Sequence, residues 1–232
     1  MPRTHTIAGI EVEVRRGGVR RLNLHVTSDG LVWVSAPSHV SSSDIIRFIS
    51  ANRAWIERRT EAVSRENRRS ELRAGDEVRL WGEELELVFM DPSGRGRGMV
   101  EAGRLLLPLN VAGREDRGMR RAAYDSFMKG ELASALPDVA RRCEQRVGRN
   151  ASSWVIRHMR SRWGSCNTRT GRICMNSELC CHAPSCLEYV TTHELCHLIE
   201  PSHGAAFKAL MDTFYPDWRS ARAELNRQPP LR

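Results

Sequence analysis

The chain has no apolar run near the ~20 residues that cross a bilayer. Its longest, such as Leu105 to Leu109, are far too short, and no apolar stretch of signal-peptide type stands at the N-terminus. A membrane partner is therefore not expected, and the expected location is the cytoplasm. A disulfide framework is also missing. The 7 cysteines are odd in number and most crowd between Cys166 and Cys196, which favours reduced thiols. Lysine is almost absent: Lys129 and Lys208 are the only two, and every other basic side chain is arginine. No G-x-x-x-x-G-K-[ST] loop occurs, so any triphosphate chemistry would have to rely on arginines and a metal. What remains is enough for an ordinary globular fold: 232 residues, 41% hydrophobic, with a formal charge of +8 that would steer a nucleotide, a nucleic acid or another anion inward.

Strand patterns dominate the first half. Ile10, Val12 and Val14 alternate with polar residues, as do Leu22, Leu24 and Val26. Asp29-Gly30 marks a turn before a strand over Leu31 to Val34 that Pro37 ends. Ser43 or a neighbouring residue is expected to cap a helix with Ile45, Ile46, Phe48, Ile49, Trp55 and Ile56 on its buried side, continued by a solvated stretch from Glu57 to Arg73. Another strand pair is expected over Glu77 to Leu80 and Leu85 to Phe89. The Gly- and Arg-rich segment from Asp91 to Gly98 reads as a mobile loop. A helical region follows from about Arg117 to Val147, interrupted at Pro137. Because strands dominate before Gly113 and helices after it, the expected organisation is α+β, with a β-rich region over 1–113 and a helix-rich domain over 114–232.

The decisive segment is Thr191-Thr192-His193-Glu194-Leu195-Cys196-His197. Residues four apart on a helix share a face, so His193 and His197 can reach one ion. Glu194 is then placed to take a proton from a water rather than to ligate. Pro201 stops the helix, and Ser202-His203-Gly204 lets the chain turn back with a third imidazole. Glu200, Asp212 and Glu224 are the competing oxygen donors. Three protein ligands and one open position are what a catalytic zinc requires. Cys174, Cys180, Cys181, His182 and Cys186 raise the question of a structural zinc, but Cys180 and Cys181 are adjacent and point apart, which argues against one. Cys196, beside a ligand, is expected to be a buried inert thiol.

Ser161-Arg162-Trp163-Gly164-Ser165-Cys166, Met175-Asn176 with Leu179, Tyr189-Val190, His193 to Leu198, His203, Phe207 and Tyr215-Pro216 form an ordered series that resembles the YgjP-like metallopeptidases. That zincin-type group is related more distantly to the SprT-like proteases. Ala36-Pro37, Trp55-Ile56 and Leu80-Trp81-Gly82 extend the resemblance into the first half. The sequence departs from the group at Lys208, where a Trp is common, and at Cys196, where small residues are usual. Glu200 stands where metzincins carry a Gly.

The resemblance implies zinc held by His193, His197 and His203, Glu194 as base, and a helical zincin-like domain whose small sheet, including a strand over Gly171 to Asn176, lies beside the metal helix. An edge strand there would pair with an extended peptide. Arg162 and Asn176 become candidates for holding substrate or the loop, Trp163 a core aromatic, and Tyr215 a candidate donor to an oxyanion. The expected activity is hydrolysis of a peptide or protein substrate. The alternatives are a metal-dependent nucleoside triphosphate pyrophosphatase of the UTP type and an SprT-like protease acting on DNA-bound proteins.

Overall fold

A computed structural model describes residues 3–27, 29–92 and 96–227, and two compact units divide the chain, over 1–70 and 71–232. The architecture is α+β. Residues 93–95, the middle of the segment expected to be a mobile loop, lie outside the described residues. The expected boundary near Gly113 falls inside the second unit.

The first unit holds β1 (Arg3–Ile7), β2 (Ile10–Gly17), β3 (Asn23–Val26), β4 (Val32–Pro37), α1 (Ser42–Ala51) and most of α2 (Arg53–Glu71). Its sheet runs β1-β2-β4-β3, with β2 and β4 parallel and the outer pairs antiparallel. Strand alternation turns Val12, Val32 and Val34 inward, where they pack with Ile45, Ile49 and Ile56. The cap of α1 is Ser41, whose Oγ accepts from the Asp44 N–H at 3.1 Å. The single helix expected here breaks at Asn52, whose amide donates to the Phe48 carbonyl at 2.8 Å. Because the helix axis restarts there, the stripe read through both helices does not hold: Ile46 and Trp55 are exposed while Ile45, Ile49 and Ile56 are buried.

The second unit opens with β5 (Glu77–Leu80), β6 (Glu83–Met90), β7 (Met99–Glu101) and β8 (Arg104–Pro108), ordered β5-β6-β8-β7. The Leu105 to Leu109 run supplies β8, which pairs on both edges and buries Leu105 and Leu107. Trp81-Gly82 joins β5 to β6 with both φ angles positive (52° and 88°), the two-residue turn that matches strand twist. After α3 (Val111–Glu115) comes α4 (Arg117–Val147), capped by Asp116 and closed by Gly148 in the left-handed region. Pro137 does not interrupt it. One hydrogen bond is forfeited there, but Leu132, Leu136, Ala140, Cys143 and Val147 on both sides enter the same core, and that packing carries the helix through.

The remaining elements build around one helix. They are β9 (Ser153–Arg157), β10 (Gly164–Asn167), β11 (Arg172–Asn176), a 3-10 turn (Ser177–Cys181), α5 (Pro184–Cys196), α6 (Ala205–Phe214) and α7 (Trp218–Arg227). The small sheet runs β10-β11-β9, so the strand expected at an edge, β11, is central and the edges are β10 and β9. Packed by α4, α6, α7 and the sheet, α5 buries nearly its whole circumference, from Cys186 and Leu187 to Leu195 and Cys196. No helix among the described residues is long and apolar enough to cross a membrane.

Candidate active site

His193 and Glu194 lie in the last turn of α5, and His197 caps it in helical backbone conformation, its N–H bonded to the His193 carbonyl at 3.3 Å. The chain leaves the helix through Leu198 to Glu200, and the Glu200 carboxylate accepts from the Ser202 N–H and Oγ at 2.9 and 2.7 Å. This turn brings His203 back. The three Nε2 atoms then form a nearly equilateral triangle, with sides of 3.2 Å (His193 to His197), 3.2 Å (His197 to His203) and 3.0 Å (His203 to His193).

That triangle fits a metal. Three imidazole lone pairs turned on one point repel one another unless a cation lies among them. Tetrahedral zinc with Zn–N bonds of about 2.0–2.1 Å needs N···N separations of roughly 3.3 Å. Phe207, buried on α6, packs against all three rings with centroids 4.5 to 4.8 Å away. His197 Nδ1 lies 3.2 Å from the Glu200 carbonyl, and a proton placed there leaves Nε2 free for a cation. Burial, then the neighbouring imidazoles and Arg222, push His193 down to about 3. Burial lowers His197 as well, against the opposing bond to Glu200. Both rings are neutral near pH 7, the state in which histidine ligates. None of the competing oxygen donors joins them: Glu200 holds Ser202, Asp212 pairs with Arg219 and accepts from Trp218, and Glu224 lies with His182 and Cys186.

Glu194 is 5% exposed, and burial pushes its carboxyl up to about 8, with the Arg162 guanidinium opposing. A divalent cation in the triangle acts in the same direction as Arg162, toward the carboxylate. The sequence reading missed what makes room for this group. A Cβ at Gly164 would stand 2.5 Å from Glu194 Oε1 and 2.7 Å from its Cγ, so only glycine lets β10 lie against the carboxylate.

The triangle and Glu194 open onto a cleft of ≈ 600 Å³ whose walls include Arg162, Trp163, Cys166, Tyr189 and Arg222. Arg222 was also missed. It comes from α7, and no local pattern tied it to the metal motif. Among the other expected residues, Arg162 lines the cleft and Asn176 does not. Asn176 is fully buried, donating to the Met159 and Arg162 carbonyls at 2.7 and 3.0 Å and accepting from the Met159 and Glu178 N–H groups, so it holds the loop that carries Arg162. Tyr215 donates its hydroxyl to the Ser185 carbonyl at 3.1 Å and is not part of the cleft wall. Trp163 packs edge-on to His182, with centroids 4.7 Å apart, and also faces the cleft. Cys196 is fully buried and burial pushes its thiol up to about 12, so it carries no reactive thiolate.

A family model described as the YgjP-like metallopeptidase domain matches residues 20–228. The chain belongs to the YgjP-like family. This YgjP-like protein is therefore a metallopeptidase, a hydrolase whose substrate class is peptide or protein. No curated protein sequence matches it. Among solved structures it is similar to the crystal structure of the metallopeptidase zymogen of Pyrococcus abyssi abylysin, at 19% identity and a TM-score of 0.35, over 39% of this chain and 89% of that one.

Proposed function

We propose that this YgjP-like metallopeptidase is a zinc enzyme in which His193, His197 and His203 hold the ion and Glu194 is the general base for peptide-bond hydrolysis. The observation that carries this reading is the 3.0–3.2 Å triangle of Nε2 atoms beside a buried carboxylate that ligates nothing in it. Zinc, when bound, supplies Lewis acidity, polarising the scissile carbonyl and making water a better nucleophile near neutral pH.

The protein's own groups do the rest. Glu194 accepts the proton of the attacking water on its carboxylate and returns it to the leaving nitrogen; the ionised form this needs is opposed by burial and favoured by Arg162 and by a cation held at the histidines. Gly164 keeps that carboxylate against the strand. Arg162, placed by the Asn176-held loop, biases Glu194 toward its ionised form and offers a cation to substrate carbonyl or carboxylate groups. The register supports a docking mode. The Asn176 N–H donates to the Trp163 carbonyl, so alternation turns the main-chain groups of Gly164 and Cys166 to the free edge of β10, and both residues line the cleft. An extended peptide pairing there would run past the histidines. Burial of Tyr189 and Val190 at the same wall excludes water.

The test is a parallel assay of zinc-loaded full-length protein on denatured protein substrates and on nucleoside triphosphates. Cleavage of the polypeptides, abolished by chelation and restored by zinc, is the expected result. Turnover of triphosphates alone would reject the reading in favour of a pyrophosphatase.

A further inference from the structure

A second group of potential donors lies outside the histidine triangle. His182 ends the 3-10 turn, Cys186 is the third residue of α5, and Glu224 projects from α7, which packs against α5. Their donor atoms, a ring nitrogen, Sγ and a carboxylate oxygen, all lie within 4.8 Å of one another. His182 and Cys186 are 7% and 0% exposed, and Glu224 is half-buried, so the group opens to solvent on one side. Helix geometry puts Cys186 and His193, seven residues apart, on nearly the same face of α5, about 10 Å along the axis.

We propose that His182, Cys186 and Glu224 form a second divalent-metal site, suited to zinc, that fastens α7 to the start of the helix bearing His193 and Glu194. Nitrogen, sulfur and oxygen together are a donor set for zinc rather than for magnesium or calcium. Binding breaks the Cys186 S–H bond and forms a sulfur–metal bond, and the proton leaves to solvent. Thiolate, carboxylate and divalent cation then sum to zero charge, which a site with two buried ligands requires. The histidine triangle differs in charge, since three neutral donors leave the ion its full charge. The fastening role follows from position: His182 and Cys186 stand at the start of α5 and Glu224 on α7, so one ion among them ties the two helices.

The surroundings support the ligating forms. Burial and Arg79 hold His182 neutral, down to about 4, with Glu224 opposing, so its lone pair is free near pH 7. Burial and Glu224 push the Cys186 thiol up to about 12, with Arg227 drawing it toward the thiolate, so the thiol keeps its proton until a metal displaces it. Zinc bonds of about 2.0–2.3 Å need donors roughly 3.3–3.6 Å apart, so loading draws together three donors that already lie within 4.8 Å of one another. The fastening also acts on the cleft, because Trp163, on its wall, packs edge-on to His182. The acidic third donor explains why a reading of the cysteines alone found no such site: it stands on α7, far along the chain.

Sulfur makes the site separable from the first. Full-length protein stripped of metal and titrated with Co²⁺ should take up two equivalents, one of them with the near-ultraviolet thiolate-to-cobalt charge-transfer band. The His193→Ala/His197→Ala double variant should keep that band and lose the other equivalent. Cys186→Ser should lose the band and keep the other. Glu224→Gln, at a half-buried position that leaves the core intact, should weaken uptake at the band by at least the ~10-fold that losing even an outer-shell partner costs. Absence of the band from the wild type, its survival in Cys186→Ser, or unchanged affinity in Glu224→Gln would overturn the assignment. The cobalt readout needs no turnover, so this proposal and the catalytic one fail independently.

Discussion

The two compact units treat buried polarity in opposite ways. In the first, the described residues bury a single polar side chain, Ser35, behind a sheet and helix packed with Val, Ile and Ala. Every other buried polar or charged residue, from Arg120 through Asn176, His182 and Thr191 to Glu194 and His197, lies in the second. Cavity size runs the other way: a hollow of ≈ 940 Å³ lined by His5, Glu13, Arg16, Ser42, Ile45 and Ile46 belongs to the first unit, and the cleft over Glu194 is ≈ 600 Å³. Volume therefore does not mark the chemistry. A buried histidine or carboxylate costs stability unless something pairs with it, so a cluster of such groups turned on one point is what a fold alone would not choose.

The sharpest way to break this contrast is to remove the groups it rests on. His193→Ala/His197→Ala should abolish zinc retention at the triangle and with it all measurable hydrolysis, because one imidazole cannot hold the ion. Zinc content and activity measured together decide the matter. Full activity in the double variant would dismiss the ligand assignment. Glu194→Gln should act on rate alone, lowering kcat by ~10²-fold or more while keeping zinc. It should also leave Tm equal or higher, since the amide is not a buried carboxyl. Loss of zinc in this variant would make Glu194 a ligand. Gly164→Ala should reach the same carboxylate from the strand side. Its methyl has no room beside Glu194, and displacement by about 1 Å can cost up to ~10²-fold in kcat. Normal kcat in that variant would mean the strand yields freely.

The first unit should show the complementary behaviour. Ile49 is fully buried among apolar neighbours, so Ile49→Ala should lower stability by about 2–5 kcal/mol through lost burial and a cavity. Zinc stoichiometry at the histidines should not change. A loss of zinc in step with the loss of stability, seen in native protein below its Tm, would join what the contrast separates.

How much of this was legible in sequence follows from how local each feature is. The His193, Glu194 and His197 spacing is a property of one helix, and β2, β4 and β5 declare themselves by alternation over four to eight residues. The helix break at Asn52 and the unbroken passage through Pro137 were misread because packing partners distant in sequence decide both. β1, β7 and β10 were missed because short edge strands poor in apolar residues show no alternation, and β8 and β9 because Leu105 to Leu107 and Trp154 to Ile156 are continuous apolar runs without a period of two. The role of Gly164 is invisible in its own neighbourhood, since the atom it must avoid is thirty residues on. Arg222 and Glu224 face the two clusters only because α7 packs on α5.

The smallest effect expected is that of Tyr215→Phe, and it tests how far the chemistry of the second unit extends. The sequence made Tyr215 a candidate oxyanion donor. Its hydroxyl is instead given to the Ser185 carbonyl at 3.1 Å, in the first turn of α5, and burial pushes it up to about 12, ahead of the repulsion from Glu188. A phenol already donating to a main-chain carbonyl, and outside the cleft wall, has no proton to offer a developing charge. Removing it forfeits one hydrogen bond at a half-buried position, worth the ~0.5–1.5 kcal/mol of such bonds. The variant should therefore lose little in Tm and nothing in kcat or KM. A drop in kcat of ~10²-fold, the scale on which losing an oxyanion donor is felt, with zinc retained, would instead show that Tyr215 leaves Ser185 during turnover. The cleft would then include the residues that follow α6 as well as those that line it here.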